Sequence, residues 1–142
     1  MRITNRTRNT LLGSRVDAAT SWWQRLRGYI GRTEPKRGEG ILLVECNAIH
    51  TWWMTFSLDV VFLDQKGKVL DLIESIRPWK RTRRIPGARY VLEVPVGTIE
   101  YSGTRLGDHL TWREPAPYSI SIPSSGGAED YPAPGGRGRK SV

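Results

Sequence analysis

The stretch DVVFLDQKGKVLDLIESI (59–76) decides the reading of the fold. Asp59 to Leu63 is a short apolar run with adjacent valines, the composition of a strand. Asp64-Gln65-Lys66-Gly67 follows, with its glycine late, where a hairpin loop needs a positive φ. Lys68 to Ile76 then returns with Val69, Leu72, Ile73 and Ile76 apolar. Working outward, the same kind of short run recurs. Leu11 to Val16, Ile41 to Glu45 and His50 to Thr55 lie upstream. Tyr90 to Val94 lies downstream, with Tyr90, Leu92 and Val94 alternating against Val91 and Glu93. Pro95 stops that strand, because proline cannot donate to a ladder. Thr98 to Gly103 is expected to form one helical turn capped by Thr98. His109 to Trp112 is expected to form a last strand after Gly107-Asp108.

One full helix is signalled. Trp22, Trp23, Leu26, Tyr29 and Ile30 fall on one face at the helical period. Thr20 or Ser21 can cap its start through a hydroxyl, and Gly31 suits its end. The two tryptophans are therefore expected to be the buried face of this helix. Several short strands with one helix predict an α+β, mainly β, compact domain over 1–113. Its architecture is expected to be a small partly closed barrel or a sandwich-like sheet. One amphipathic helix would pack on it, with a short helical turn besides.

Composition sets the bounds. The chain has 142 residues, 22 Lys plus Arg against 14 Asp plus Glu, and a net charge of +8. Its longest apolar runs, Ile41 to Val44 and Val60 to Leu63, are far short of the roughly 20 residues that a membrane-spanning helix needs. The N-terminal MRITNRTRNT has no apolar core of the signal-peptide kind, so a cytoplasmic location is expected. One cysteine excludes an internal disulfide, and two histidines leave little for a metal site. Residues 114–142 include five Pro, five Gly and five Ser, so this segment is expected to be a disordered tail. Within it, Tyr118, Ile120 and Ile122 alternate with serines and could add a strand to a sheet edge.

Catalytic and nucleotide motifs are weak. Gly38-Glu39-Gly40 starts like a dinucleotide turn, but Leu43 stands where the third glycine belongs. Cys46 and His50 could form a thiol and its base, with Asp59 or His109 beside them. An isolated cysteine beside Val44 is more often a small core residue. Asp59, at a strand start, is better suited to accept loop N–H bonds than to act as a general acid. The strip from His50 to Phe56 is the more promising feature. Read as a strand, it puts Thr51, Trp53 and Thr55 on one face, a ring between two hydroxyls. The candidate ligand or partner surface is therefore His50, Thr51, Trp53, Met54, Thr55 and Asp59.

The sharpest charge feature is 77–89. Arg77, Lys80, Arg81, Arg83, Arg84 and Arg89 are basic, none of its residues is acidic, and Trp79 lies among them. Cations around an indole suit single-stranded nucleic acid or another polyanion. A loop can also carry such charge simply to stay solvated. These six cations and Trp79 form the second candidate surface. Arg2, Arg6, Arg8, Arg15 and the glycine-arginine end at 135–140 could extend it.

These residues also resemble a known family. Cys46-Asn47-Ala48-Ile49-His50-Thr51, Trp53-Met54, Asp59 to Asp64 and Gly67-Lys68-Val69 are similar to blocks of the prokaryotic domain of unknown function 192. Arg27 to Arg32 and Gly38 to Ile41 resemble its first block. Val91 to Gly97 and Leu106-Gly107-Asp108 resemble its last. The double tryptophan at 52–53 and Ser57, where the family pattern favours a nearby proline, are departures. The resemblance implies a small β-rich domain with no established activity and no catalytic residues to carry over. Many of its members are exported or lipid-anchored, and no such leader is evident here.

The reading that follows is a non-catalytic module binding a small molecule or a protein segment, with no cofactor and no metal. The alternatives are a nucleic-acid- or ribosome-associated protein acting through 77–89, and a small enzyme using Cys46, His50 and Asp59.

Overall fold

A computed structural model describes residues 1–113. The segment 114–142, with its expected disorder and its candidate strand at Tyr118 to Ile122, lies outside the described residues. The elements run in the order β1 (Ile3–Asn5), β2 (Thr10–Gly13), β3 (Arg15–Ala19), α1 (Trp22–Arg27), β4 (Glu39–Val44), β5 (Leu58–Leu63), β6 (Val69–Ile76), β7 (Tyr90–Val94), α2 (Thr98–Ser102) and β8 (Leu110–Thr111). The protein is α+β and mainly β, as the sequence predicts. No helix among the described residues is long and apolar enough to cross a membrane.

The principal sheet has the strand order β3-β4-β7-β5-β6. β3 and β4 are parallel, which requires a crossover, and α1 lies within that connection. The remaining pairs are antiparallel. All six residues of β5 are buried, so both faces of the sheet are covered. That explains the unbroken apolar run Val60 to Leu63, since a strand buried on both sides has no polar face to alternate with.

The two faces are covered differently. On one, Leu42, Val61, Leu63, Leu92 and Val94 pack against Ile3, Leu12, Ile99 and Leu110. Those partners come from a second sheet, β2-β1-β8, and from α2. Among the described residues the architecture is thus two packed sheets with no closed barrel. On the other face, Ile41, Leu43, Val60, Phe62 and Val91 meet Tyr29, Ile49, Met54, Ile85 and Ala88. This second cover consists mostly of irregular chain.

The 64–67 hairpin is as expected. Asp64 Oδ1 accepts from the N–H groups of Lys66 (2.8 Å) and Lys68 (2.9 Å). Gly67 has φ +86°, and a Cβ there would collide with the Leu110 carbonyl. Ser21 caps α1 in a reciprocal box with Gln24.

Four expectations need correction. Thr98 does not cap α2: Gly97 is the N-cap and supplies no side-chain bond, and the Thr98 hydroxyl donates to Pro95 O (2.7 Å). Leu11 to Val16 is two strands in different sheets, and β1 precedes them. β1 is only three residues long, too short for a periodic signal, and it is held between the neighbouring β2 and the distant β8. His50 to Thr55 is not a strand. It makes one isolated bridge, from His50 to Arg81, and turns at Trp52-Trp53. Finally, α1 ends at Gly28 instead of Gly31, and its tryptophans are not buried. Trp22 is 65% exposed, Trp23 70% and Leu26 42%, while Tyr29, beyond the helix end, enters the core. The sheet face that this helix would have covered is filled by Ile49, Met54, Ile85 and Ala88.

Asp59 joins the layers. Its Oδ1 accepts from Ser75 N–H (2.8 Å), and its Oδ2 from Gly97 N–H (3.1 Å) and Ile99 N–H (3.0 Å). These bonds hold an irregularity in the β5–β6 register, where Ser75 has φ +56°, and the start of α2. Truncation would leave three donors without their acceptor, at about 1–3 kcal/mol for each one that stays buried. Asp59→Ala is therefore expected to lower the unfolding free energy by about 3 kcal/mol in total. The denaturant midpoint of the variant beside the wild type checks this.

Candidate functional site

The irregular cover is built from two segments, 46–54 and 77–89, zipped together by backbone bonds. Thr51 N–H donates to Lys80 O (2.7 Å), Thr82 N–H to Ile49 O (2.9 Å) and Ile85 N–H to Asn47 O (3.0 Å). Thr51 is the pin. It is fully buried, its hydroxyl donates to Arg77 O (2.7 Å), and its oxygen accepts from Lys80 N–H (2.9 Å). Its carbonyl accepts from Trp79 N–H (2.9 Å) and Met54 N–H (3.2 Å). Both loops thus satisfy their backbone groups without joining a sheet.

This zip scatters the expected strip. Thr51 and Met54 are buried, Asp59 lies under α2, and Thr55 and Trp53 point out to solvent. Thr51, Trp53 and Thr55 share no face. His50 is half-buried and stacks on Trp52 at 4.9 Å between ring centroids, with 29° between planes. Trp53 meets Trp79 edge to face at 4.8 Å, and the two are 69% and 58% exposed. Both adopt left-handed backbone, with φ +69° and +65°. For a bulky residue that conformation costs about 1–2 kcal/mol, and the bonds of Thr51 hold it in place.

The basic segment is exposed at Arg77, Lys80, Arg81, Arg83 and Arg84, half-buried at Arg89, and anchored by Ile85 and Ala88. Arg83 pairs with Asp71 (3.3 Å) and Arg89 with Glu45 (2.5 Å). The Arg89 guanidinium holds the Glu45 carboxyl below its usual range. Among the described residues, no carboxylate lies within ion-pair distance of Arg77, Lys80, Arg81 or Arg84.

A cavity of about 190 Å³ lies between α1, the 46–50 segment and β7. Glu93 forms part of its wall. It is 3% exposed, and burial pushes its pKa up to about 8, with the charge of Arg32 offsetting only part of the effect. The carboxyl is therefore mostly protonated at neutral pH. Glu93 Oε1 and His50 Nδ1 are both buried and have no hydrogen-bond partner among the described residues, and both residues line this cavity. Gly28 is pressed against Glu93, where a Cβ would stand 3.1 Å from Oε1. Gly28 has φ +47°, and the approach helps explain why α1 stops there.

Cys46 also lines the cavity and donates its S–H to Ala48 O (3.2 Å). Burial pushes its pKa up, which keeps it a thiol and disfavours a thiolate nucleophile. Cys46 and His50 thus come together, whereas Asp59 is at the α2 start and His109 opposes Lys68 at the small sheet. Among the described residues, no three His, Cys, Asp or Glu side chains are arranged to hold a metal ion.

Glu93 was not singled out by the sequence reading. The available signal was an acid inside the apolar run Tyr90 to Val94, at the same register as Val91. Trp22 and Leu26, whose helical period predicts burial, stand instead exposed at the cavity mouth.

Comparison with known proteins agrees with this fold. A UPF0127 protein of Thermococcus sibiricus is 33% identical over 114 residues, covering 76% of this chain and 72% of that protein. A UPF0127 protein of Pyrococcus abyssi is 30% identical over 113 residues, 78% of this chain and 96% of that one. A solved structure of a protein of unknown function from Novosphingobium aromaticivorans is similar in fold, with a TM-score of 0.70 and 19% identity. The match covers 79% of this chain and 84% of that one. A Sinorhizobium meliloti structure matches with a TM-score of 0.65 and 22% identity over 78% of this chain and 89% of its own. The model of DUF192, described as "Uncharacterized ACR, COG1430", matches residues 3–112, and the chain belongs to this family.

Proposed function

We propose that this protein is a non-catalytic binding module that receives a small ligand, or one side chain of a partner segment, in the cavity at Glu93. The observation that carries this reading is the pair of buried, unpartnered polar atoms, Glu93 Oε1 and His50 Nδ1, on one cavity. Buried polar atoms are nearly always paired, and leaving one unpaired costs about 1–3 kcal/mol. Two of them on a shared wall suit a guest that supplies the missing bonds.

The chemistry of the guest follows from the walls. A protonated Glu93 offers an O–H, so it suits a carbonyl, hydroxyl or carboxylate oxygen. Trp22, Leu26 and Ile49 give an apolar collar, and Arg25 and Arg27 lie at the rim. At about 190 Å³ the cavity is smaller than sites for drug-sized ligands, which run roughly 300–1,000 Å³. It therefore takes a polar head, with the rest of the guest lying under the exposed indole of Trp22.

The test is mass spectrometry of what the untagged protein retains through purification, run beside Glu93→Leu and His50→Ala. A compound retained by the wild type and absent from both variants is expected. Identical extracts from all three would overturn the reading. Glu93→Leu should also be more stable than the wild type above pH 8 by about 1–4 kcal/mol, because it replaces a buried lone charge with an apolar side chain.

A pH dependence follows as well. Glu93 has its folded pKa raised from 4.5 to about 8. Between those values the folded state keeps a proton that the unfolded chain has released, so stability falls as pH rises through that window. The slope approaches about 1.4 kcal/mol per pH unit and flattens outside the window. Denaturant midpoints at pH 5, 6, 7 and 8 are expected to show this fall in the wild type and to lose most of it in Glu93→Gln.

A further inference from the structure

Beyond the Glu93 cavity, we propose that the groove between the His50–Trp52 stack and Arg81 to Arg84, continued by the Trp53–Trp79 pair, binds single-stranded nucleic acid. The groove has a volume of about 660 Å³ and is lined by His50, Trp52, Arg81, Thr82, Arg83 and Arg84. Its lining brings aromatic rings and guanidinium groups together. That combination is what a single strand requires. The cations follow the phosphates, and the indole faces take unpaired bases irrespective of their identity.

Three observations support the assignment. First, Arg77, Lys80, Arg81 and Arg84 are exposed and have no carboxylate within ion-pair distance among the described residues, so their charge is available to a polyanion. Second, three exposed indoles, Trp52, Trp53 and Trp79, stand beside these cations instead of filling the core. Third, Trp53 and Trp79 are held in left-handed backbone by the bonds of Thr51. Strain retained at exposed large aromatics suits a surface preorganised for contact. A flat lipid surface would touch protruding side chains and leave a concave, arginine-lined groove unused. A duplex keeps its bases stacked and offers no faces to the indoles. The single strand uses both the rings and the cations.

The test uses the full chain and a fluorescein-labelled oligouridylate of about 12 nucleotides, a length within the range that one small binding surface covers. Anisotropy titrations at several salt concentrations are expected to show saturable binding. If about three cations meet phosphates, the log–log salt slope lies near −2. Arg81→Ala/Arg83→Ala/Arg84→Ala should weaken binding and flatten the slope. Lys66→Ala/Lys68→Ala/Arg105→Ala, which removes the same charge from exposed positions outside the basic surface, should change it far less. Trp53→Gly/Trp79→Gly keeps the positive-φ backbone accessible and removes both rings. It should weaken binding about tenfold or more while the melting temperature holds. Absence of oligouridylate binding at low salt would overturn the proposal. So would equal loss in the two arginine and lysine triples, unchanged binding in the glycine variant, or equal affinity for a duplex of the same length. Association with phosphatidylserine vesicles without oligouridylate binding would also overturn it and assign the surface to a membrane.

Discussion

The constraint on which the structure depends is that its central strands are apolar on both sides. β5 and β7 together contribute Leu58, Val60, Val61, Phe62, Leu63, Val91, Leu92 and Val94 to the interior. A sheet built on them must be covered twice, with only short segments of chain to do it. The second sheet and α2 close one face with regular structure. No comparable element remains for the other, and two irregular segments close it instead.

The features of the candidate surface follow from that second cover. Irregular chain laid over a core must still pair its backbone N–H and C=O groups. Thr51 and Thr82 do this by bonding the two segments to each other. The same bonds force the sharp turns that carry Trp53 and Trp79 outward and set His50 opposite Arg81. Aromatic display, the basic groove and the cavity wall are therefore parts of one packing solution. Glu93 is its cost. It sits at a register position that the two-sided burial turns inward, and the cover leaves room beside it instead of a partner.

Much was legible in local pattern. The 64–67 hairpin, the Ser21 cap, the α2 turn and the role of Asp59 each depend on residues close in sequence or on a simple need for an acceptor. The period of Trp22, Trp23 and Leu26 marks α1 as amphipathic, whereas Tyr29 and Ile30, expected on the same face, lie beyond its end. Amphipathicity states which face is apolar, however, and not what covers it. At His50 to Thr55 the β-like composition was overruled by Thr51, whose partners at Arg77 and Lys80 lie more than twenty residues away. Glu93 was missed because alternation in Tyr90 to Val94 suggested one buried face where there are two.

By itself the sequence determined the mainly β class, the strand cores at Asp59 to Leu63 and Tyr90 to Val94, the hairpin between β5 and β6, and the concentration of charge in 77–89. Those properties arise from side-chain periodicity, turn chemistry and composition, all of which act over a few residues. Only the tertiary structure decided that α1 leaves its tryptophans in solvent, that Thr51 is a buried pin, and that Glu93 and His50 share a cavity. Those outcomes depend on which segment reaches the open sheet face and fills it, and such competition between distant parts of the chain leaves no local mark.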